Sequence, residues 1–259
     1  EKIGQLVQDF TVPKDADLRA RVASGAIGSL IWFYQDPALY NEYQRLAVEK
    51  TRLGIPILCC LDVIHGEHLV FPIAPAVSGA FEPELFEKAQ SFAAREARAN
   101  GVALAFAPMC DTARDPRWGR VAETCGEDPY LNALCVAAQV RGFQGKDPSA
   151  PDHVAACLKH FVGYSAVTGG RDYNDASFSE WDLRNTHLPS FRAGVAAGAL
   201  AVMSSFNTID GIPSVACHQT LTEILRGEWG FTGFVVSDWA AVAELLKWGI
   251  AADDASASA

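Results

Sequence analysis

The residues able to do chemistry in this chain stand at the ends of short apolar runs. Asp238 ends the run Phe-Val-Val-Ser-Asp and is followed by Trp239. A carboxylate beside an aromatic ring suits a sugar, which needs an anion facing its anomeric carbon and an apolar surface to stack on. An aspartate before a helix is also a favoured N-cap, and the spacing alone leaves both readings open. Lys159-His160 end a second run. If buried there, the lysine needs a partner; an exposed strand end would accept both residues as they are. Asp62 and His65 follow a third run, and a fourth leads into Arg114-Asp115-Pro116-Arg117-Trp118-Gly119-Arg120. That loop reads either as surface ion pairs of little energetic weight or as fixed donors for hydroxyl groups.

Other chemistries lack their parts. His65 and His68 form an HxxH without a third ligand at suitable spacing, so no metal site is expected. There is no GxSxG elbow for a serine triad, and no cysteine has the local context of a Cys-His pair. Neither GxGxxG nor GxxxxGK[ST] follows any apolar run, so no cofactor is expected. Glu127-Asp128 reads as charge at a helix N-terminus.

The elements that must position these groups alternate. Apolar runs at 26–32, 57–62, 103–108, 153–160, 200–206 and 234–238 are predicted strands buried on both faces. Longer amphipathic stretches lie between them. One helix opens at Glu82-Pro83-Glu84 and stops at Asn100-Gly101; another opens at Gly126-Glu127-Asp128-Pro129; two more are predicted over 218–225 and 239–248. Six strand–helix repeats predict an α/β fold with a parallel sheet. In a βα barrel or an open sheet alike, ligand groups gather at the carboxyl ends of the strands. No linker divides the chain, although its end, 251–259, is rich in Ala, Ser and Asp.

The 259 residues carry 21 Lys plus Arg against 31 Asp plus Glu, a net charge of −10. Nucleic acid and anionic membrane surfaces are therefore not expected partners. The longest apolar stretches, such as 193–203, fall short of the roughly 20 residues that a bilayer helix requires. Seven cysteines, with no CxxC, read as reduced thiols and lean toward a cytoplasmic location. The chain begins at Glu1 without a methionine or a signal-like stretch, so periplasmic or secreted locations stay open.

On nine segments in order, the chain resembles glycoside hydrolase family 3. They are 1–7 (EKIGQLV), 54–66 (GIPILCCLDVIHG), 106–120 (FAPMCDTARDPRWGR), 126–130 (GEDPY), 140–145 (VRGFQG), 159–163 (KHFVG), 169–174 (GGRDYN), 202–207 (VMSSFN) and 230–239 (GFTGFVVSDW). The GGRDYN and SDW segments look most like the β-glucosidase and β-xylosidase branch. The resemblance implies a TIM-type (β/α) barrel, incomplete at about six of eight βα units. Residues 1–259 would be the N-terminal barrel domain, without the barrel's end and a following α/β sandwich domain.

The activity implied is that of a retaining exo-acting β-glycosidase, β-glucosidase-like, working through a covalent glycosyl-enzyme on a β-linked oligosaccharide or glucoside. Asp238 would be the nucleophile. Asp62, Arg120, Lys159 and His160 would grip the sugar hydroxyls, and Met203, Phe206 and Trp239 would line the site, with Trp239 toward the leaving group. Three departures stand out. Phe206 replaces the tyrosine of many relatives, Glu67-His68 replace the usual aromatic or basic residues, and the branch's acid/base glutamate belongs to the absent domain. The alternatives are a β-xylosidase, an N-acetylhexosaminidase, an inactive sugar-binding fragment, or a barrel isomerase of phosphorylated sugars. The second needs an Asp-x-His element, but loop 163–177 has no histidine; the last lacks a phosphate loop. An incomplete barrel exposes apolar strand edges, so self-association into a homo-oligomer is expected.

Overall fold

The computed structural model describes residues 1–11, 16–33 and 36–258. Seven strands form one parallel sheet: β1 (Gln8–Phe10), β2 (Ser29–Ile31), β3 (Leu58–Leu61), β4 (Leu104–Ala105), β5 (Ala155–Phe161), β6 (Ala201–Ser204) and β7 (Phe234–Ser237). Each pairs with the next in chain order, and no pairing joins β1 to β7 among the described residues. The sheet curls toward closure without completing it, which makes an incomplete TIM-type barrel. All six expected strands are present, and β1 is a seventh. Its Gln-Asp-Phe is too short and too polar to read as an apolar run.

Helices cover the outer face: α1 (Ala16–Ala23), α2 (Pro37–Lys50), α3 (Glu84–Ala99), α4 (Pro129–Gln144) and α5 (Pro189–Ala196). At the predicted start 126–129, Asp128 accepts from the Leu131 amide, and Asp36, not singled out in the sequence, accepts from the Ala38 amide, each just ahead of a proline whose missing N–H costs the first turn nothing. The stretch predicted at 218–225 is a π-helix, Gln219–Glu228, and of 239–248 only Glu244–Lys247 is α-helical. Ala240 explains the second difference. Its φ of 55° is left-handed, and a right-handed helix cannot run through it. The Ala/Ser/Asp-rich end holds a short helix, Asp254–Ser258, and Ala259 lies outside the described residues.

Two apolar layers hold the barrel. One lies between strands and helices and includes Leu30, Trp32, Ala94, Val140, Phe143 and Leu158. The other fills the barrel interior with Cys60, Leu104, Phe106, Cys157, Ala201 and Met203. All seven cysteines are buried and unbridged, and burial alone pushes the Cys59 thiol up to about 12. They are small apolar packing groups here. Among the described residues, no helix is long and apolar enough to cross a membrane.

Helices α3 and α4 approach closely at Gly142, where a Cβ would stand 2.5 Å from the Glu87 carbonyl oxygen. Alanine favours helix over glycine by about 1 kcal/mol. Gly142→Ala should nevertheless lower stability by about 1–3 kcal/mol, because the two backbones must part. Urea melts followed by circular dichroism measure this, and an unchanged or higher midpoint would reject the close approach. The edges of β1 and β7, unpaired among the described residues, offer templates for another chain. Size-exclusion chromatography at moderate concentration should therefore show dimers and larger species; a single sharp monomer peak would count against exposed edges.

Candidate functional site

A cavity of roughly 1070 Å³ runs along the open side of the barrel, from Pro56 and Phe234 at the amino ends of the strands to Asp62, Lys159 and Asp238 at their carboxyl ends. Of the residues expected to form a site, Asp62, Arg120, Lys159, His160, Met203, Asp238 and Trp239 all line it. Phe206 does not. It is 6% exposed, packs with Met109, Trp118 and Tyr164, and lies against the Tyr173 ring at 4.4 Å.

Lys159 and His160 are adjacent in β5, and side chains normally alternate across a strand. Both reach the cavity because the register of β5 against β6 shifts between Leu158 and Phe161. Lys159 is only 3% exposed, and its ammonium is paired with the Asp62 carboxylate at the end of β3. That pair answers the question the sequence left open about a buried lysine.

Arg120 is held by both oxygens of Glu123, at 2.7 and 2.9 Å, and lies 5.7 Å from the Tyr164 ring centre. Burial works against its charge, but Glu123 and then Asp111 more than offset this, and the guanidinium stays protonated above its usual range. The rest of the arginine loop is structural. Arg117 pairs at the surface with Asp115, while Trp118 is buried and donates its indole N–H to Asp172 at 3.0 Å. His65 makes its ring contact with the Phe71 carbonyl oxygen, and no group of three metal-ligating side chains converges among the described residues.

At the centre stand two carboxylates with a buried imidazole between them. His160 lies with Nδ1 3.1 Å from Asp111 Oδ2 and Nε2 3.4 Å from Asp238 Oδ2. Asp238 Oδ1 accepts the Trp239 amide at 2.7 Å, whereas buried Oδ2 accepts nothing. Asp238 therefore bonds only the next amide and caps no helix. Burial pushes Asp238 up to about 6 and Asp111 up to about 7. Burial, reinforced by Arg120 and Lys159, holds His160 well below its ordinary value and so neutral. Trp239 is 56% exposed and stands at the rim, 5.5 Å from the ring of Phe10 on β1.

Sequence reasoning passed over Asp111, Glu123 and Phe10. Asp111 left one signal, a lone carboxylate closing the apolar stretch that follows the third predicted strand.

Curled parallel sheet, outer helices and a charged cavity at the strand ends define a TIM-type α/β barrel with its site in the usual place. Residues 1–259 match the glycosyl hydrolase family 3 N-terminal domain, and the chain belongs to that family. It is 38% identical over 257 residues to the periplasmic beta-glucosidase of Salmonella typhimurium, covering 98% of this chain and 33% of that protein. A beta-xylosidase of Formosa agariphila is 41% identical over 208 residues, covering 74% of this chain and 28% of its own length. The structure of a beta-glucosidase from Listeria innocua in complex with glucose superposes with a TM-score of 0.93 at 36% identity, over 99% of this chain and 38% of that one. The chain thus spans about a third of the length of these relatives.

Burying Asp238 has a cost that pH reveals. Its affinity for a proton is higher folded than unfolded, so stability is greatest below about pH 4 for this group and declines as pH rises to about 6. Asp238→Asn should remove that decline and raise stability at pH 7 by about 1–2 kcal/mol. Thermal melts of both proteins at pH 4.5 and pH 7 measure it; an equal shift at both would refute the buried-charge account.

Proposed function

We propose that this chain is the nucleophile-bearing barrel of a retaining exo-acting β-glycosidase of β-glucosidase type. The observation that carries the reading is Asp238, whose Oδ2 is shielded from other donors within a cavity ringed by Asp62, Arg120, Lys159 and His160. The Listeria innocua protein is described with glucose bound and, as the D270A mutant, with laminaribiose; both fit a β-glucoside substrate. A β-xylosidase is the second reading, favoured by the 41% identity to the Formosa agariphila protein. In domain terms, residues 1–259 form the N-terminal barrel, and the general acid/base is supplied from a part of the protein beyond them.

Asp62 accepts from sugar hydroxyls while Arg120 and Lys159 donate to them, fixing the ring against the cavity wall. Trp239 offers its face at the rim, toward the leaving group. The ionised Asp238 attacks the anomeric carbon through Oδ2 and displaces the aglycone, giving a glycosyl-enzyme that water later opens. Hydroxyl bonds that tighten as the oxocarbenium-like state develops lower the barrier. Because the nucleophile must be ionised, attack should quicken as pH rises through about 6 and then level off.

Stopped-flow release of dinitrophenol from 2,4-dinitrophenyl β-D-glucoside tests this, since so good a leaving group scarcely needs an acid. The expected result is a burst near one equivalent, absent in Asp238→Asn, with an acid limb near pH 6. A burst only with the xyloside would move the assignment to the second reading. A burst that survives in Asp238→Asn would remove Asp238 from the role.

A further inference from the structure

Asp111 is buried beneath the site and lines no part of the cavity, so it does not meet a ligand. Its Oδ2 takes two contacts from a single residue, the backbone amide of His160 at 2.9 Å and the ring Nδ1 at 3.1 Å. The amide can only donate, so Oδ2 is an acceptor already. A proton on Asp111 belongs on Oδ1, which is buried and accepts no well-formed hydrogen bond, although the Ser165 amide faces the carboxyl. One carboxylate oxygen accepting twice puts the ring proton on Nδ1. In the neutral ring, Nε2 is then bare, and it faces Asp238 Oδ2 at 3.4 Å.

We infer that Asp111 is a positioning residue for the nucleophile: it locks His160 as the Nδ1–H tautomer, so that the imidazole gives Asp238 Oδ2 no hydrogen bond. The inference rests on the reading of Asp238 as nucleophile. The opposite tautomer would present Nε2–H to Oδ2, favour its charge and tie up the lone pair needed for attack. The unsatisfied Oδ2 is what the locked ring leaves behind. The other ionisable groups facing this pair are Arg120, Lys159, Asp62, Cys157 and Tyr173, with Glu123 behind Arg120 and Asp172 with Tyr164 across the next loop. None of them contacts Nδ1 in place of Asp111.

The test uses the chain labelled with ¹⁵N-histidine, with the His160 signals assigned by their loss in His160→Gln. Nδ1 should be protonated and Nε2 unprotonated. In Asp111→Asn, only the amide oxygen can satisfy the His160 backbone N–H, so the ring still finds an acceptor and the tautomer should persist. In Asp111→Leu the acceptor is gone, and the proton should move to Nε2. The dinitrophenol burst should stay within about threefold for the asparagine variant and slow by about tenfold or more for leucine, typical of losing an orienting partner. The leucine acid limb should also shift to lower pH, since a new donor favours ionised Asp238.

If Asp111→Leu does not fold, Asp111→Ala carries the same expectations. A leucine or alanine variant that keeps the wild-type tautomer would overturn the inference, as would an asparagine variant that switches it. So would slower bursts with an unmoved acid limb, the mark of a merely structural residue. Should the wild-type chain give no burst with glucoside or xyloside, the nucleophile reading fails, and the nitrogen spectra still decide whether Asp111 sets the ring.

Discussion

An ammonium group is not kept in a protein interior without a counter-charge, and the ion pair of Lys159 with Asp62 is what allows the strand ends to carry a site at all. It ties the end of β5 to the end of β3 across the strand between them. Once Lys159 is anchored, the shifted register beyond Leu158 turns His160 inward as well, and His160 in turn meets the two aspartates. Arg120, braced by Glu123, closes the circle from the loop after β4. Both cations of the cavity are thus set by a carboxylate, and the apolar barrel below supplies the low dielectric that makes those pairings strong.

That same low dielectric sets the protonation states. Asp111 and Asp238 both hold protons more tightly than a free carboxyl does, and the histidine between them holds its extra proton less tightly. Asp238, whose buried Oδ2 accepts no hydrogen bond, is a cost to stability once it is ionised.

The strands were legible because a strand covered on both faces must be apolar throughout, and six such runs stand out. β1 was not, since Gln8 and Asp9 lie at an edge where polar side chains cost little. Helix 239–248 failed for a local reason, a left-handed Ala240 that no propensity announces. Among the site residues, Asp62, Lys159, His160 and Asp238 were legible because ionisable groups ending apolar runs are conspicuous. Of the loop 114–120 only Arg120 lines the cavity, and Trp118 is a buried brace for the loop of Asp172. Asp111 left only the signal of a lone carboxylate, because its partners, one imidazole and one amide, lie 49 residues away along the chain.

The sheet is built entirely from pairings between strands that follow one another in the chain, so it can lengthen one strand at a time as the polypeptide becomes available. The contact of Phe10 with Trp239 breaks that order. It joins the first strand to the residue beyond the last, and closing so long a loop must wait for everything between. The rim beside Asp238 is therefore the last place where this fold becomes itself, and a chain caught partway holds a nearly finished sheet whose cavity has no edge.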